Sequence, residues 1–349
     1  MVSSRVRWTV PAGVAAVVLG VTLVPTLASA DPAPKLPTLT ASALLADVGQ
    51  ARVAGLTGTV TSSSALGLPS LEQLGVKGSA GALASGTHTL RVWSAGETAS
   101  RLELDDSLHE YDVVRRGADA WTYDSETDQV THLALPAHPA KPAAPDLTKA
   151  HTPQEAAAAA LAALDPSTVV QVEKNRYVAG RPAYELVLTP KDRTSLIGSV
   201  RVAVDSATKV PLQVQVLARH TAKPAFSLGF TQVDFTAPPA SVFATPTGKA
   251  LVQAPTQPRT RFSHPGEGVR AKAPVTKIVG TGWTAVVEAS GVDLKAAGML
   301  DQVTTPVTVG TVKGHLFTST LVSVLVLDDG RAYAGAVTPG TLTALAAKR

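Results

Sequence analysis

Apolar and polar residues alternate with a period of two along most of this chain, the pattern of strands with one buried face. In His88–Ser94, His88, Leu90 and Val92 share one face while Thr89, Arg91 and Trp93 share the other. Arg101–Leu104 alternates Arg, Leu, Glu, Leu, and Gly55–Leu66 is rich in Thr, Ser and Val. Tyr111–Val114, Ala120–Tyr123 and Val130–Leu135 read as further strands, with turns at Arg116-Gly117 and Asp124–Asp128. A second group comprises Val169–Val178, Ala183–Leu188, Ile197–Val204, Pro211–Leu217 and Phe226–Phe235. A third comprises Lys277–Val287, Pro306–Val312, Leu316–Leu327 and Ala332–Val337, with a hairpin turn at Asp328-Asp329-Gly330. Short strands with turns at regular spacing predict antiparallel meanders rather than βαβ units.

Few helices interrupt this pattern. Thr40 is placed to cap a helix through Leu44, Leu45 and Val48 toward Arg52. Thr152, Pro153 and Glu155 occupy the N-cap, N1 and N3 positions of a capping box before an Ala run, which must stop by Asp165-Pro166. A short helix is expected at Leu294–Leu300, and a last one begins at Thr338-Pro339. Pro-rich segments at residues 31–37, Pro136–Pro145 and Pro238–Pro274 read as extended connections. They leave a large domain over residues 38–250 and a small one over 272–349, with no internal repeat.

The N-terminus adds a destination. Arg5 and Arg7 precede an uncharged run from Trp8 to Ala30 that closes on Ala28-Ser29-Ala30 and then Asp31-Pro32. A charged start, an apolar stretch and an A-x-A site make residues 1–30 an export signal. The rival reading is an uncleaved anchor, since the run is long enough to span a bilayer; Pro25 and the A-x-A site favour cleavage. Either way the globular part is expected outside the cytoplasmic membrane, in the cell envelope or secreted.

Composition then narrows the function. The 349 residues carry 31 Lys and Arg against 27 Asp and Glu, a net charge of +4, with no basic stretch of the kind that tracks nucleic acid. Cysteine is absent, which removes disulfides, thiolate metal sites, a cysteine nucleophile and a lipidated cysteine together. Aromatic residues are 4% of the chain, too few for a stacking platform.

No catalytic signature emerges. There is no G-x-S-x-G and no H-E-x-x-H, and the nearest histidine pair, His132 and His138, is split by Pro136. Asp124, Glu126 and Asp128 imitate the start of a Ca²⁺ loop, but Gln129 and Leu135 stand where Gly and a bidentate Glu are needed. Gly280-Thr281-Gly282-Trp283 resembles a dinucleotide loop, yet β-prone Val286-Val287 follows where a helix should. The expectation is a non-enzymatic protein with no metal and no cofactor.

Four segments resemble one family. Arg116-Gly117-Ala118-Asp119-Ala120-Trp121-Thr122-Tyr123 is similar to the G-x-x-x-W-x-Y hairpin of the LolA/LppX/RseB superfamily. Tyr184–Lys191 resembles its central strand, ending in L-T-P-K. Asp205, Thr208, Pro211 and Leu212 match its D-x-x-T-x-x-P-L turn, and Phe243–Gly248 resembles its closing F-x-x-P-x-G. The order also matches, over roughly residues 38–250. Arg116 departs from the Asp or Asn common before that Gly, and the closing motif has one Pro where the family has two.

The resemblance implies an α+β fold: a half-open antiparallel β-barrel around an apolar cavity with a helical lid, followed by the small α+β domain. It implies a bound lipid or lipoprotein acyl chain, with peripheral contact at the outer face of a membrane. The alternative it carries is an RseB-like envelope-stress regulator acting on a single-span anti-sigma factor. The candidate cavity residues are Trp93, Leu102, Leu104, Trp121, Tyr184, Val202, Val204, Leu212 and Val214. For the aromatic residues the competing reading is ordinary core packing. The Val row of Ser199–Val204 and the Leu/Val row of Leu212–Val216 pair on one face, which either packs a core or lines the cavity.

Overall fold

The computed structural model describes residues 33–67, 86–106, 109–135, 152–162, 166–247, 250–253, 275–292 and 303–348. Pro34–Arg349 forms one compact unit. In chain order the large domain contains α1 (Ala41–Gln50), β1 (Leu56–Ser64), β2 (Gly86–Ala95), β3 (Ala99–Asp106), β4 (His109–Arg116), β5 (Asp119–Asp124), β6 (Gln129–Ala134), α2 (Pro153–Ala162), β7 (Thr168–Val178), β8 (Arg181–Pro190), β9 (Ile197–Asp205), β10 (Pro211–Ala218), β11 (Pro224–Asp234) and β12 (Ala250–Gln253). The small domain contains β13 (Val275–Val279), β14 (Val286–Ser290), β15 (Thr305–Val309), β16 (Val312–Thr318), β17 (Ser323–Leu327), β18 (Arg331–Gly335) and α3 (Pro339–Ala347).

The strands of the large domain form a single twelve-stranded sheet in the order β12-β6-β5-β4-β3-β2-β1-β11-β10-β9-β8-β7. Every pairing is antiparallel except that of β12 with β6. The sheet ends on β12 and β7, so it is open rather than closed. The expected α+β class, an open antiparallel sheet with helices beside it and a small α+β domain after it, is the one observed.

Register sorts the side chains into two faces. Val60 stands opposite Phe230, Val214 opposite Leu228 and Val202, and Leu186 opposite Val202 and Val172. These residues form the inner face, and their burial makes the main core. The β1–β11 pairing shifts register between Thr59 and Val60. A Cβ on neighbouring Gly58 would come within 2.7 Å of the Phe230 ring, so only glycine fits beneath that ring.

Two short helices pack over the inner face. The Thr40 hydroxyl accepts the Ala43 N–H at 3.2 Å, starting α1, which inserts fully buried Leu44. Burying one such Leu stabilises by about 1.5–3 kcal/mol. The Thr152 hydroxyl accepts the Glu155 N–H at 3.2 Å while the Glu155 carboxylate accepts the Thr152 N–H at 3.3 Å, closing the capping box. Beyond it, α2 buries Ala156, Ala157 and Ala160 against β10 and β11. Their small side chains let the helix backbone approach the sheet closely.

The D-x-x-T-x-x-P-L segment is the β9–β10 turn. The buried Asp205 carboxylate accepts from the Arg181 Nε at 2.6 Å, the Thr208 N–H at 2.7 Å, the Thr208 hydroxyl at 2.9 Å and the Ala207 N–H at 3.1 Å. Burial alone would raise its pKa, but the Arg181 and Thr208 hydrogen bonds outweigh it and hold the group below the usual carboxylate range. Lys209 follows with φ +60°, its ammonium 5.1 Å from the Tyr184 ring centre.

The small sheet runs β13-β14-β18-β17-β16-β15. One face buries Val286, Leu325, Leu327 and Tyr333 against Leu342 of α3. Gly330, with φ +84°, makes the expected hairpin turn. The domain is docked rather than tethered. Trp283 enters the core of the large domain and donates its indole N–H to the Thr168 hydroxyl at 2.7 Å. Leu196 N–H donates to Ala336 O at 2.9 Å, Thr338 N–H to Thr194 O at 2.8 Å and Thr320 N–H to Leu66 O at 3.0 Å.

Three expectations change. Lys277–Val287 is two strands, β13 and β14, because Gly282–Thr284 forms a 3₁₀ turn between them; the glycine segment is a hairpin connection. Leu316–Leu327 is also two strands, reversed where Ser319 N–H bonds Val322 O at 2.8 Å. The Pro238–Pro274 connection starts as packed structure: Phe243 is buried beside Val114, and β12 pairs with β6. The export signal and the Leu294–Leu300 helix lie outside the described residues.

Replacing Asp205 by Ala is expected to cost about 3 kcal/mol, because it strands Arg181 and several turn donors. A denaturant midpoint measures this. A loss below about 1 kcal/mol, the range of a surface pair, would show that the turn does not depend on the carboxylate.

Candidate functional site

Three rows of the inner face run across β2, β3 and β4. Leu90, Leu104 and Tyr111 are one; Val92, Leu102 and Val113 the next; Ser94, Ser100 and Arg115 the third. Polarity therefore changes along the strands, from apolar to hydroxyl and guanidinium. Among the described residues, α2 packs on the inner face over β10 and β11 and leaves space over β2, β3 and β4. What remains is a half-open cavity of about 770 Å³.

The cavity wall is Leu56, Val92, Leu102 and Val113. Its other side is the end of α1 with the chain beyond it (Val48, Val53) and one face of α2 (Ala158, Leu161). Val210 and Pro211 of the β9–β10 turn also line it, as do the polar Thr152 and Gln154 and the charged Arg52, Glu97, Arg101, Arg115 and Glu155. Its volume lies within the range of roughly 300–1,000 Å³ usual for small-molecule sites.

The outer face of the same strands is charged. Arg101 Nη2 lies 2.7 Å from Asp112 Oδ2 and 3.2 Å from Glu103 Oε2, and Arg91 Nη1 lies 3.2 Å from Glu103 Oε1. Asp112 is 3% exposed, and its Oδ1 has no hydrogen-bond partner among the described residues. Burial, reinforced by Glu103 and Glu110, pushes its carboxyl from an ordinary 3.8 to about 6, against the pull of Arg101. On β7–β9, Glu185 bridges Arg176 at 3.2 Å and Arg201 at 3.1 Å.

The structure divides the nine candidate cavity residues. Leu102 lies in the wall. Trp93 borders the cavity along β2, but by register it stands with Arg101 on the outer face, where it packs against the Val114–Phe243 cluster with the guanidinium 5.6 Å from its ring centre. Trp121 also stands on the outer face, stacked on His132 with ring centres 5.2 Å apart and capped by Arg116 at 4.6 Å. Strand alternation, which opposes Trp93 to Leu90 and Val92, is the physical reason.

Leu104 is buried in the core. Tyr184, Val202, Val204, Leu212 and Val214 are in the main core too, the last four at 0% exposure, and none borders this cavity. They pack within that core, and the Tyr184 hydroxyl donates to Pro37 O at 3.1 Å. Val48, Val53, Leu56, Val92 and Val113, which the sequence reading did not name among the cavity residues, line the same cavity. Among the described residues, no group of three His, Asp or Glu side chains is placed to hold a metal.

No protein-family model matches the chain, and no curated protein matches it. Among solved structures it is similar to MucB in complex with MucA(peri), at 17% identity over 86% of this chain and 95% of that one, with a TM-score of 0.43. It is likewise similar to the MucA/MucB complex of Pseudomonas aeruginosa, at 17% identity over 86% and 94%, with a TM-score of 0.41. A LolA superfamily protein from Nitrosomonas europaea aligns at 14% identity over 59% of this chain and 98% of that one, with a TM-score of 0.27. Each is a likeness of fold.

The raised Asp112 group makes stability depend on pH. Between about pH 4 and 6 the folded chain holds a proton that the unfolded chain has released, so Asp112 lowers stability progressively as pH rises through that window. Stability of the wild type relative to Asp112→Asn is therefore expected to decline from about pH 4 to 6 and stay level above. Urea midpoints across that range test it; a difference that rises with pH would show Arg101 to dominate.

Proposed function

We propose that this protein is an exported, non-enzymatic carrier that holds the acyl chain of a lipid or lipoprotein in the cavity between β1–β4 and the two helices. One observation carries the reading: a cavity on the inner sheet face, with Val and Leu of the core cluster in its lining and with α1 and α2 on its other side. The Val and Leu side chains of its lining give non-directional burial suited to a methylene chain. The charged start, apolar stretch and A-x-A site of the first thirty residues support export. No helix of the described residues is long and apolar enough to cross a membrane. Loading and unloading would then take place at the outer face of a membrane.

A second reading is a regulator that engages the extracytoplasmic segment of a single-span anti-sigma factor. The small sheet favours it: Ile278 and Val287 stand opposite each other there, 47% and 44% exposed.

Filling the cavity separates these readings. Leu102→Trp is expected to abolish co-purifying lipid, measured by mass spectrometry, at a cost below about 1 kcal/mol because the site is open on one side. Val202→Phe, in the filled core, is expected to cost about 1–3 kcal/mol. Lipid retained by a folded Leu102→Trp variant would move the function to the small sheet.

A further inference from the structure

We propose that the cavity selects amphiphiles with an anionic headgroup and that Arg115 receives the charge, an inference that rests on the cavity being an acyl-chain site. Along β4 the inner face passes from Tyr111 through Val113 to Arg115. Alternate residues on a strand lie about 7 Å apart, so the row of Arg115 adjoins the row of Val92, Leu102 and Val113, within reach of the head of a chain packed there. Ser94 and Ser100 stand in the same row and extend the polar edge.

Arg115 is oriented without being neutralised. Its Nη2 donates to Glu97 O at 2.8 Å and its Nη1 to Gly117 O at 3.3 Å. Both acceptors are backbone carbonyls, and Arg115 forms no ion pair among the described residues. A guanidinium has five N–H donors, so its remaining donors are free to take a second acceptor.

The other charges near the rim are already engaged. Arg101 is bound to Asp112 and Glu103 on the outer face. Arg52 pairs with the Glu97 carboxylate at 3.8 Å. The Glu155 carboxylate caps the Thr152 N–H. Of the three arginines that line the cavity, Arg115 is the one with no carboxylate within ion-pair distance among the described residues.

A phosphate or carboxylate can accept two parallel N–H bonds from such a fork, whereas a neutral head cannot. The apolar chain supplies binding, and the arginine supplies the choice among chains. A free anion lacks the part that the wall recognises, so the geometry points to a lipid headgroup.

The test uses the full chain as exported and two labelled lipids with identical acyl chains, phosphatidylglycerol and phosphatidylcholine, titrated by fluorescence. The wild type is expected to bind phosphatidylglycerol about tenfold more tightly, the size of one charge-assisted hydrogen bond. Arg115→Gln is expected to bind both lipids alike, and Arg115→Lys to keep most of the preference; a thermal midpoint confirms that each variant is folded. Inorganic phosphate is expected not to displace bound phosphatidylglycerol. Equal binding of the two lipids by the wild type, or a preference retained by Arg115→Gln, overturns the headgroup assignment and leaves the acyl site standing. Displacement by phosphate alone overturns it in favour of a free-anion site. If neither lipid binds, the acyl-chain reading itself falls.

Discussion

Everything in this molecule follows from a mismatch of coverage. A twelve-stranded sheet with strands about 4.8 Å apart is roughly 50 Å across. The two helices described beside it have 10 residues each, about 15 Å of helix. α2 lays its alanine face over β10 and β11, and α1 approaches β7. Over β2, β3 and β4 the inner face carries two apolar rows and then the polar row of Ser94, Ser100 and Arg115, and there the described helices leave a cavity. Core and cavity are therefore one surface, distinguished only by what lies on top.

This arrangement explains where the charges went. With the inner face given to apolar contacts, the paired carboxylates and guanidiniums of the sheet crowd onto the outer one, where Arg101, Glu103 and Asp112 form one cluster and Arg176, Glu185 and Arg201 another. Buried pairs of this kind add little net stability, but removing one partner is costly. The Asp205 turn does a different job, fixing the β9–β10 reversal that brings Val210 and Pro211 to the cavity lining. Trp283 ties the small domain to the same core, so a disturbance of the large sheet is felt in both domains.

Most of the strands and both capped helices of the large domain were legible, because alternation and capping are local. The register rows were legible in part: alternation already opposed Trp93 to Val92, and the structure obeys it. The identity of the cavity wall was not. Val202 and Val92 read alike along the chain and both are buried, and only Val92 also borders the cavity. The entry of Trp283 into the large core and the pairing of β12 with β6 are long-range contacts that leave no local period. The 3₁₀ turn at Gly282–Thr284 hid inside a run of β-prone residues, which merged two strands into one.

The most direct test is the position of a bound chain. With a ¹³C-labelled fatty acyl ligand on the full chain, isotope-filtered NMR reads which protein methyl groups lie against it. Contacts to Val92, Leu102 and Val113 and none to Val202 or Val214 are the result expected. Contacts to Val202 and Val214 instead, or none to any of the five, would contradict an acyl site under the two helices.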